Sequence, residues 1–296
     1  MVSRSAWRWL RRWLQFLSPA IVLVLGLTPA FCQPRIRLEA RTVVESRLDS
    51  FRSDNRDRED VIRRLFAESG CAKANLTEQP VKPGVPPNVI CMLPGATSEL
   101  IVVGAHTDKV TNAGDGVVDN WSGASLLPSL LFSLNGRKRH HTFVFVGFTA
   151  EENGLIGSQY YVDHLTEDQR ASIEAMVNMD SLGLTTTKVW ASHADHQLLD
   201  ALNAAALESK LPVSIMNVDD LGTTDSESFA RYHIPRITLH SVTLETMPIL
   251  HSQNDNLAAI KTDDYYNSYR LIAKYLAHLD RVLVPATAGR TGKSAH

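Results

Sequence analysis

Long apolar runs, internal repeats and clusters of basic residues are scarce in this 296-residue sequence. The apolar stretch near the N-terminus, residues 20–27, is shorter than the roughly 20 residues that a membrane-spanning helix needs. A formal net charge of −2, with no basic stripe in the body of the chain, argues against nucleic-acid binding. Because neither a repeat nor a low-complexity linker divides the body, we expect a single domain. We also expect a monomer.

Cysteine is also scarce, with three residues in the whole sequence. The first, Cys32, follows an arginine-rich N-terminal segment, the short apolar stretch and a few small residues, which is the pattern of a secretory signal peptide. We therefore expect residues 1–32 to be a signal peptide that directs export to a periplasm or the extracellular space. An uncleaved membrane anchor is the alternative. The two remaining cysteines, Cys71 and Cys91, predict a disulfide in an exported protein, against the alternative of two buried thiols.

Apolar segments of strand length alternate with amphipathic helical segments along the rest of the chain. The strand patterns cover residues 88–95, 99–106, 141–148, 173–180, 188–192 and 234–240. The helical patterns comprise two helices within 39–69, then 123–134, a helix from 157, 196–209 and 263–283. This alternation predicts a three-layer α/β/α sandwich with a central, largely parallel mixed sheet over residues 33–284, followed by a flexible tail at 285–296.

Carboxylates and imidazoles follow the predicted strands, where the working residues of a parallel sheet gather. The residues at these strand and loop ends are His106, Asp108, Asp119, Glu151, Glu152, Asp180, His251 and Asp255. Imidazole and carboxylate together suit zinc, with Co²⁺ or Mn²⁺ as substitutes. The candidate metal ligands are His106, Asp119, Glu152, Asp180 and His251. Five ligands with one shared carboxylate fit two metal ions.

Taken singly, these residues have ordinary structural interpretations. Glu151 and Glu152 could be a solvated strand end, and His106 could be a core histidine with its hydrogen bonds satisfied. His240 competes with His251 as the last ligand, but the spacing of His251 to Asp255 favours His251. The metal-site interpretation therefore depends on the whole series of residues.

Five short motifs at these strand ends occur in a recognisable order. They are GAHTD, DNWSGAS, TAEENGLIGS, NMDSLG and LHSQNDN. With them the chain resembles the di-zinc exported aminopeptidases, within the zinc metallopeptidase clan that also holds glutamate carboxypeptidase-like proteins and glutaminyl cyclases. The resemblance covers residues 88–260 by motif. It implies two Zn²⁺ per chain and hydrolysis of N-terminal residues from peptides that have a free N-terminus.

The resemblance also implies how the five ligands divide between the two metals. Asp119 would be the bridging carboxylate. Glu152 and His251 would complete one zinc site, and His106 and Asp180 would complete the other. A hydroxide held between the two ions would attack the scissile carbonyl.

The remaining roles fall on the neighbours of these ligands. Glu151 would be the general base and acid, and Asp108 would hold the second ring nitrogen of His106. Trp121 departs from the pattern, because a small residue is expected after Asp119-Asn120. Asp225 matches the family's serine–aspartate loop only loosely. Tyr232 and His240 are the candidates for an oxyanion partner.

Three other functions remain open on the same scaffold. A glutaminyl cyclase, as that group is usually described, uses one zinc and lacks the first histidine ligand, so His106 speaks against it. A receptor-like domain without catalysis would have lost ligands, whereas this set is complete. An aminoacylase-type hydrolase of dipeptides or N-acyl amino acids needs an inserted dimerisation domain, for which the interval from Asp180 to His251 is too short.

Overall fold

The computed structural model describes residues 36–219 and 222–283. The predicted signal peptide and the predicted C-terminal tail lie outside these residues. No helix within the described ranges combines the length and the apolar character needed to span a membrane.

Eight strands form one mixed sheet. They are β1 (Leu76–Gln79), β2 (Asn88–Leu93), β3 (Leu100–His106), β4 (Thr142–Phe148), β5 (Ile173–Met179), β6 (Lys188–Val189), β7 (Ser214–Ile215) and β8 (Arg236–His240). Their order across the sheet is β1-β2-β4-β3-β5-β8-β6-β7. The four central strands, β4, β3, β5 and β8, are mutually parallel, and antiparallel pairs flank them. The sheet is therefore largely parallel at its centre, as predicted.

Helices connect the strands. They are α1 (Arg41–Leu48), α2 (Asn55–Glu68), α3 (Ser122–Ala124), α4 (Leu126–Leu134), α5 (Ile156–Asp163), α6 (Glu167–Ala171), α7 (His196–Ser209), α8 (Ser226–Ala230) and α9 (Thr262–Val282). A π-helical turn, Val117–Trp121, precedes α3. Pro128 is accommodated in the first turn of α4, where a backbone N–H would have no intrahelical partner.

Apolar side chains cover both faces of the sheet, which makes the fold three layers deep. Along β3, Ile101 and Val103 point into the larger core, to which α1, α2, α4, α7 and α9 contribute. Val102, between them, points to the opposite face and packs in a second cluster with residues of α5 and α8. This alternation is the period of a strand that is buried on both sides. The predicted α/β/α arrangement is confirmed.

The chain order places the ends of three strands together. From β3 the chain passes to β4 on one side and then to β5 on the other. The C-terminal ends of β4 and β5 therefore flank the end of β3, where open α/β sheets bind their ligands. His106 is the last residue of β3, and Asp180 directly follows β5.

The predicted disulfide is present. Cys71, just after α2, and Cys91, in β2, form a bond across a sequence separation of 20 residues, with their Cα atoms 6.2 Å apart. Cross-links of this loop length stabilise a fold mainly by restricting the unfolded chain.

Substituting Cys71 by serine should lower the free energy of unfolding by about 3 kcal/mol, measured by urea denaturation. The double substitution of Cys71 and Cys91 should behave like the single one, because one bond is lost in both. Alkylation of the denatured protein without reductant should leave both cysteines unlabelled on peptide mapping. Labelling of both cysteines would show that the bond does not form.

Candidate metal centre

The five predicted ligands, spread over the chain from His106 to His251, converge on one point at the carboxyl edge of the sheet. They form two groups in which one donor atom from each residue lies within 4.8 Å of the others. The groups are His106 with Asp119 and Asp180, and Asp119 with Glu152 and His251. These are the two ligand sets implied by the resemblance, with Asp119 common to both.

Asp119 lies between the two imidazoles. Its Oδ1 is 3.1 Å from Nε2 of His106, and its Oδ2 is 3.0 Å from Nε2 of His251. Asp180 Oδ1 lies 3.7 Å from the same nitrogen of His106, and Glu152 Oε2 lies 3.2 Å from that of His251. Each carboxylate oxygen of Asp119 thus faces a different ligand set, as a bridging carboxylate requires.

The two sets differ in depth. The side chain of His106 is 2% exposed, whereas that of His251 is 57% exposed. The set around His106 is consequently the inner one, and the set around His251 opens to solvent.

Asp255 and Asn120 hold the loop that carries Asp119. The carboxylate of Asp255 accepts the backbone N–H groups of Val118, at 2.7 Å, and of Asp119, at 3.2 Å. Asn120 follows a cis peptide bond, and its amide donates to the carbonyl of Met179 at the end of β5. Asp255 therefore orients the predicted bridging residue Asp119, while His251, four residues earlier, contacts the same carboxylate.

Gly123 is required where α3 meets the sheet. A Cβ atom at this position would lie 2.5 Å from Oδ1 of Asn120 and 2.7 Å from the carbonyl oxygen of Met179. Only glycine allows so close an approach. The motif that follows Asp119 therefore brings the bridging loop against β5.

Asp108 holds the glutamate pair in place. Its Oδ1 accepts the backbone N–H of Glu151 at 3.0 Å, and its Oδ2 accepts that of Glu152 at 3.2 Å. The sequence prediction, in which this carboxylate holds the ring of His106, stays a prediction. Nδ1 of His106 lies 3.1 Å from the backbone carbonyl oxygen of Asp108 but 3.6 Å from its carboxylate. The carboxylate is turned toward the glutamate loop because two N–H donors converge on it there.

The metal centre contains more carboxylates than imidazoles. Burial raises the pKa of Glu151 to about 10 and also raises the pKa values of Glu152 and Asp180. Burial alone would lower the pKa of His106, but Glu151 and the hydrogen-bonding carboxylates outweigh it, so this pKa lies well above its usual value. Burial alone would raise the pKa of Asp119, but hydrogen bonds from both imidazoles hold it below its usual range.

These residues fit divalent cations. The donor set, imidazole nitrogen and carboxylate oxygen, is one that zinc prefers. Oε1 of Glu152 is buried and has no hydrogen-bond partner. A bound divalent cation would stabilise the ionised forms of these buried carboxylates. Glu151 also lies within 4.8 Å of donor atoms of His106 and Glu152, so distance alone does not separate it from the ligands.

A cavity of about 390 Å³ adjoins the metal centre. All five predicted ligands and Glu151 line it. Six apolar side chains also line it, those of Leu155, Trp190, Val218, Val242, Met247 and Leu250, together with polar residues that include Ser181, Thr223, Thr224, Thr238 and His240. A larger cavity, about 640 Å³, touches Asp108 but none of the predicted ligands, so we assign the smaller one to substrate binding.

The two candidates for an oxyanion partner are otherwise engaged. The hydroxyl of Tyr232 donates to Asp163 at 2.8 Å, and this tyrosine does not line the cavity. His240 lines it, but its Nε2 donates to the carbonyl of Met216 and its Nδ1 accepts the N–H of Val242. Burial lowers the pKa of His240 to about 4, so its ring is neutral and holds two segments of the cavity wall.

Asp225 is closer to the centre than its loose motif suggested. It is 1% exposed, and both carboxylate oxygens lack a hydrogen-bond partner among the described residues. Burial raises its pKa to about 7, and the charges of His106, Asp108 and Asp180 also act on it. Asp225 therefore belongs to the acidic surroundings of the metal centre.

Comparison with known proteins identifies the family of this chain. The model of peptidase family M28 matches residues 88–276. Leucine aminopeptidase 2 of Trichophyton equinum is 35% identical over 97 residues, which is 32% of this chain and 19% of that protein. The chain thus matches about a fifth of the length of this curated relative.

Solved structures share the fold. A zinc aminopeptidase from Bacillus subtilis superposes with a TM-score of 0.59 at 24% identity, over 64% of this chain and 49% of the other. A glutaminyl cyclase from an Acidobacteriales bacterium gives a TM-score of 0.66 at 17% identity, over 84% of this chain and 98% of the other. Both chemistries therefore occur on this scaffold.

Proposed function

The chain belongs to peptidase family M28, and on that premise we propose that it is an exported di-zinc aminopeptidase that removes apolar N-terminal residues from peptides. The observation that carries the proposal is the position of Asp119, which turns one carboxylate oxygen toward each imidazole. A single metal site would not need this arrangement.

The five ligands would hold the two ions, and Co²⁺ or Mn²⁺ would substitute for zinc. His106 and Asp180 would hold the inner ion, Glu152 and His251 the outer ion, and Asp119 both. When bound, zinc lowers the pKa of a coordinated water to about 7 and polarises the substrate carbonyl.

Glu151 is the residue to which we assign proton transfer. Its carboxylate takes a proton from the attacking water and returns it to the nitrogen of the leaving amine. The observations that support this role are its place on the cavity wall and its position next to the predicted ligands His106 and Glu152. The two N–H donations to Asp108 fix the backbone of Glu151 and Glu152, so one can bind metal while its neighbour moves protons.

The cavity supports a substrate with an apolar first residue and a free amine. The apolar side chains of the cavity lining would contact the first side chain of the substrate, and burial of a leucine-sized side chain contributes about 1.5–3 kcal/mol. The free amine, which is charged when an N-terminus is unbound, would bind on the part of the cavity lining that the ligands form. An acylated N-terminus lacks this charge.

Export and monomeric action complete the proposal. The disulfide between Cys71 and Cys91 supports export, because such bonds persist in oxidising compartments. All five ligands come from one chain, which is what a monomeric enzyme requires.

A glutaminyl cyclase is the second candidate, because the neighbour from the Acidobacteriales bacterium is covered almost completely. His106 distinguishes the two functions. It lies within ligand distance of Asp119 and Asp180, so the inner site has its imidazole. A cyclase that works with one zinc would not need that set.

A panel of amino-acid nitroanilides tests the proposal. Leucine and phenylalanine nitroanilides should be cleaved with a kcat/KM about 10- to 100-fold above that of the aspartate compound, because apolar side chains line the cavity. A chelator should abolish cleavage and added Zn²⁺ should restore it.

N-acetyl-leucine nitroanilide and a glutaminyl peptide are the controls. The acetylated compound should not be cleaved, and the glutaminyl peptide should not cyclise. Cyclisation without nitroanilide cleavage would assign the second function instead.

A further inference from the structure

Arg58, in α2, is a fully buried arginine without a carboxylate partner among the described residues. It is 0% exposed, and its nearest polar contacts are backbone carbonyls. Its guanidinium lies over the ring of Trp121, 5.1 Å from the ring centroid. Burial lowers its pKa to about 10, so it stays charged at neutral pH. Burying a charged guanidinium costs free energy unless its N–H groups are hydrogen-bonded. The backbone carbonyls that accept from Arg58 offset this cost.

Three of the four carbonyls that accept from Arg58 lie in the two loops next to His106 and Asp119, and the fourth, that of Arg52, is the most distant at 3.4 Å. Nε donates to the carbonyl of Thr107, the residue after His106. Nη2 donates to the carbonyl of Gly116 at 2.8 Å, and Nη1 to that of Asp115 at 2.9 Å, just before Asp119. One planar group therefore joins the loop after the first ligand to the loop before the bridging ligand.

The charge of Arg58 also acts on the acidic centre. The residues whose negative charges raise its pKa are Asp108, Asp255, Asp119 and Glu152. The hydrogen bonds of the Arg58 guanidinium and its positive charge should have opposite effects on the affinity for a metal ion. Positioning of ligands strengthens metal binding, whereas a nearby positive charge repels the cation.

We infer that Arg58 is a positioning residue for the metal centre, which sets the separation of His106 and Asp119 by joining their loops. Trp121 supports it. Its ring packs against the guanidinium, and its Nε1 donates to the carbonyl of Arg47. This explains why a tryptophan follows Asp119-Asn120 in this chain. The inference rests on the proposed metal centre.

The conservative substitution Arg58→Lys separates positioning from charge, because lysine keeps the charge but cannot donate in the same planar fork. We expect zinc affinity, measured by competition with a chromogenic chelator, to fall about 10- to 100-fold. The rise in melting temperature on adding zinc should shrink in parallel. If Arg58 acted by charge alone, Arg58→Lys would match the wild type and Arg58→Met would bind zinc more tightly.

Arg47→Lys is the matched control. Arg47 is also buried, but its side chain pairs with Glu39 at 3.1 Å and donates to Ser129, away from the ligand loops. This control should lower the melting temperature without changing zinc affinity. Equal zinc affinity in Arg58→Lys and the wild type would overturn the inference, whereas a wild type that binds no zinc would overturn the proposed function.

A measurement on the wild type covers the case in which Arg58→Lys does not fold. The side-chain N–H of Arg58, observed by NMR in ¹⁵N-labelled protein, should shift as zinc is added, because its acceptor adjoins a ligand. The shift should exceed that of the corresponding Arg47 resonance. An Arg58 resonance that does not respond to zinc would contradict the inference.

Discussion

Replacing Glu151 by glutamine should lower the turnover of leucine nitroanilide by about 10²- to 10⁴-fold and leave the zinc content unchanged. Glutamine preserves the size of the side chain and the backbone N–H donation to Asp108, so the loop should stay in place. It cannot accept and return a proton. Steady-state kinetics and elemental analysis of the same preparation measure both quantities.

Glu208→Gln is the control for this change, because it makes the same substitution on a half-exposed helix position away from the metal centre. It should retain wild-type turnover. Loss of zinc from Glu151→Gln would make Glu151 a ligand instead, which its distance to His106 and Glu152 also permits. Unchanged turnover would remove its role in proton transfer.

Replacing Asp119 by alanine should weaken binding of both metal ions by more than about 100-fold and abolish measurable turnover. Residues that only support ligands already cost 10- to 100-fold when substituted, and Asp119 contacts both imidazoles directly. Its loss also leaves His106 and His251 without their shared acceptor. Zinc content after dialysis and the rate of nitroanilide hydrolysis test this.

Asp200→Ala, on the exposed face of α7, is the matched control and should keep both its zinc and its activity. Retention of full zinc by Asp119→Ala after dialysis would refute the bridging role. Loss of one ion with the other kept would show that Asp119 belongs to a single set.

Strong periodic patterns made most of the fold predictable from the sequence. The helix at 196–209 and the buried strands β3, β4 and β5 match their predicted ranges to within one or two residues. The two-residue strand β7 and the short helices α6 and α8 escaped, because segments this short carry no measurable period. Tertiary pairing decides their structure.

His106, Glu152 and Asp180 were predictable as neighbours because they lie at or just after the ends of adjacent strands, whereas Asp119 and His251 lie in loops and were predicted from the series of motifs. The hydrogen bonds from the N–H groups of Glu151 and Glu152 to the Asp108 carboxylate were not predictable from the sequence, because they depend on the path of a loop. The apolar part of the cavity lining was not predictable either. Its residues come from segments without a common motif.

A signal for Arg58 was present in the sequence. Val61, Ile62, Leu65 and Phe66 mark the buried face of α2, and position 58 falls on that face by the same spacing. An arginine at an apolar position of a helix needs buried acceptors. The pattern therefore indicates a buried charge, although it does not show which loops receive it.

In the proposed enzyme, one chain holds two metal ions through the shared carboxylate of Asp119. Zinc content per chain, measured by elemental analysis on wild-type protein dialysed against metal-free buffer after loading, tests it most directly. We expect close to two zinc ions per chain for the wild type. One zinc ion per chain, with full aminopeptidase activity, would contradict it.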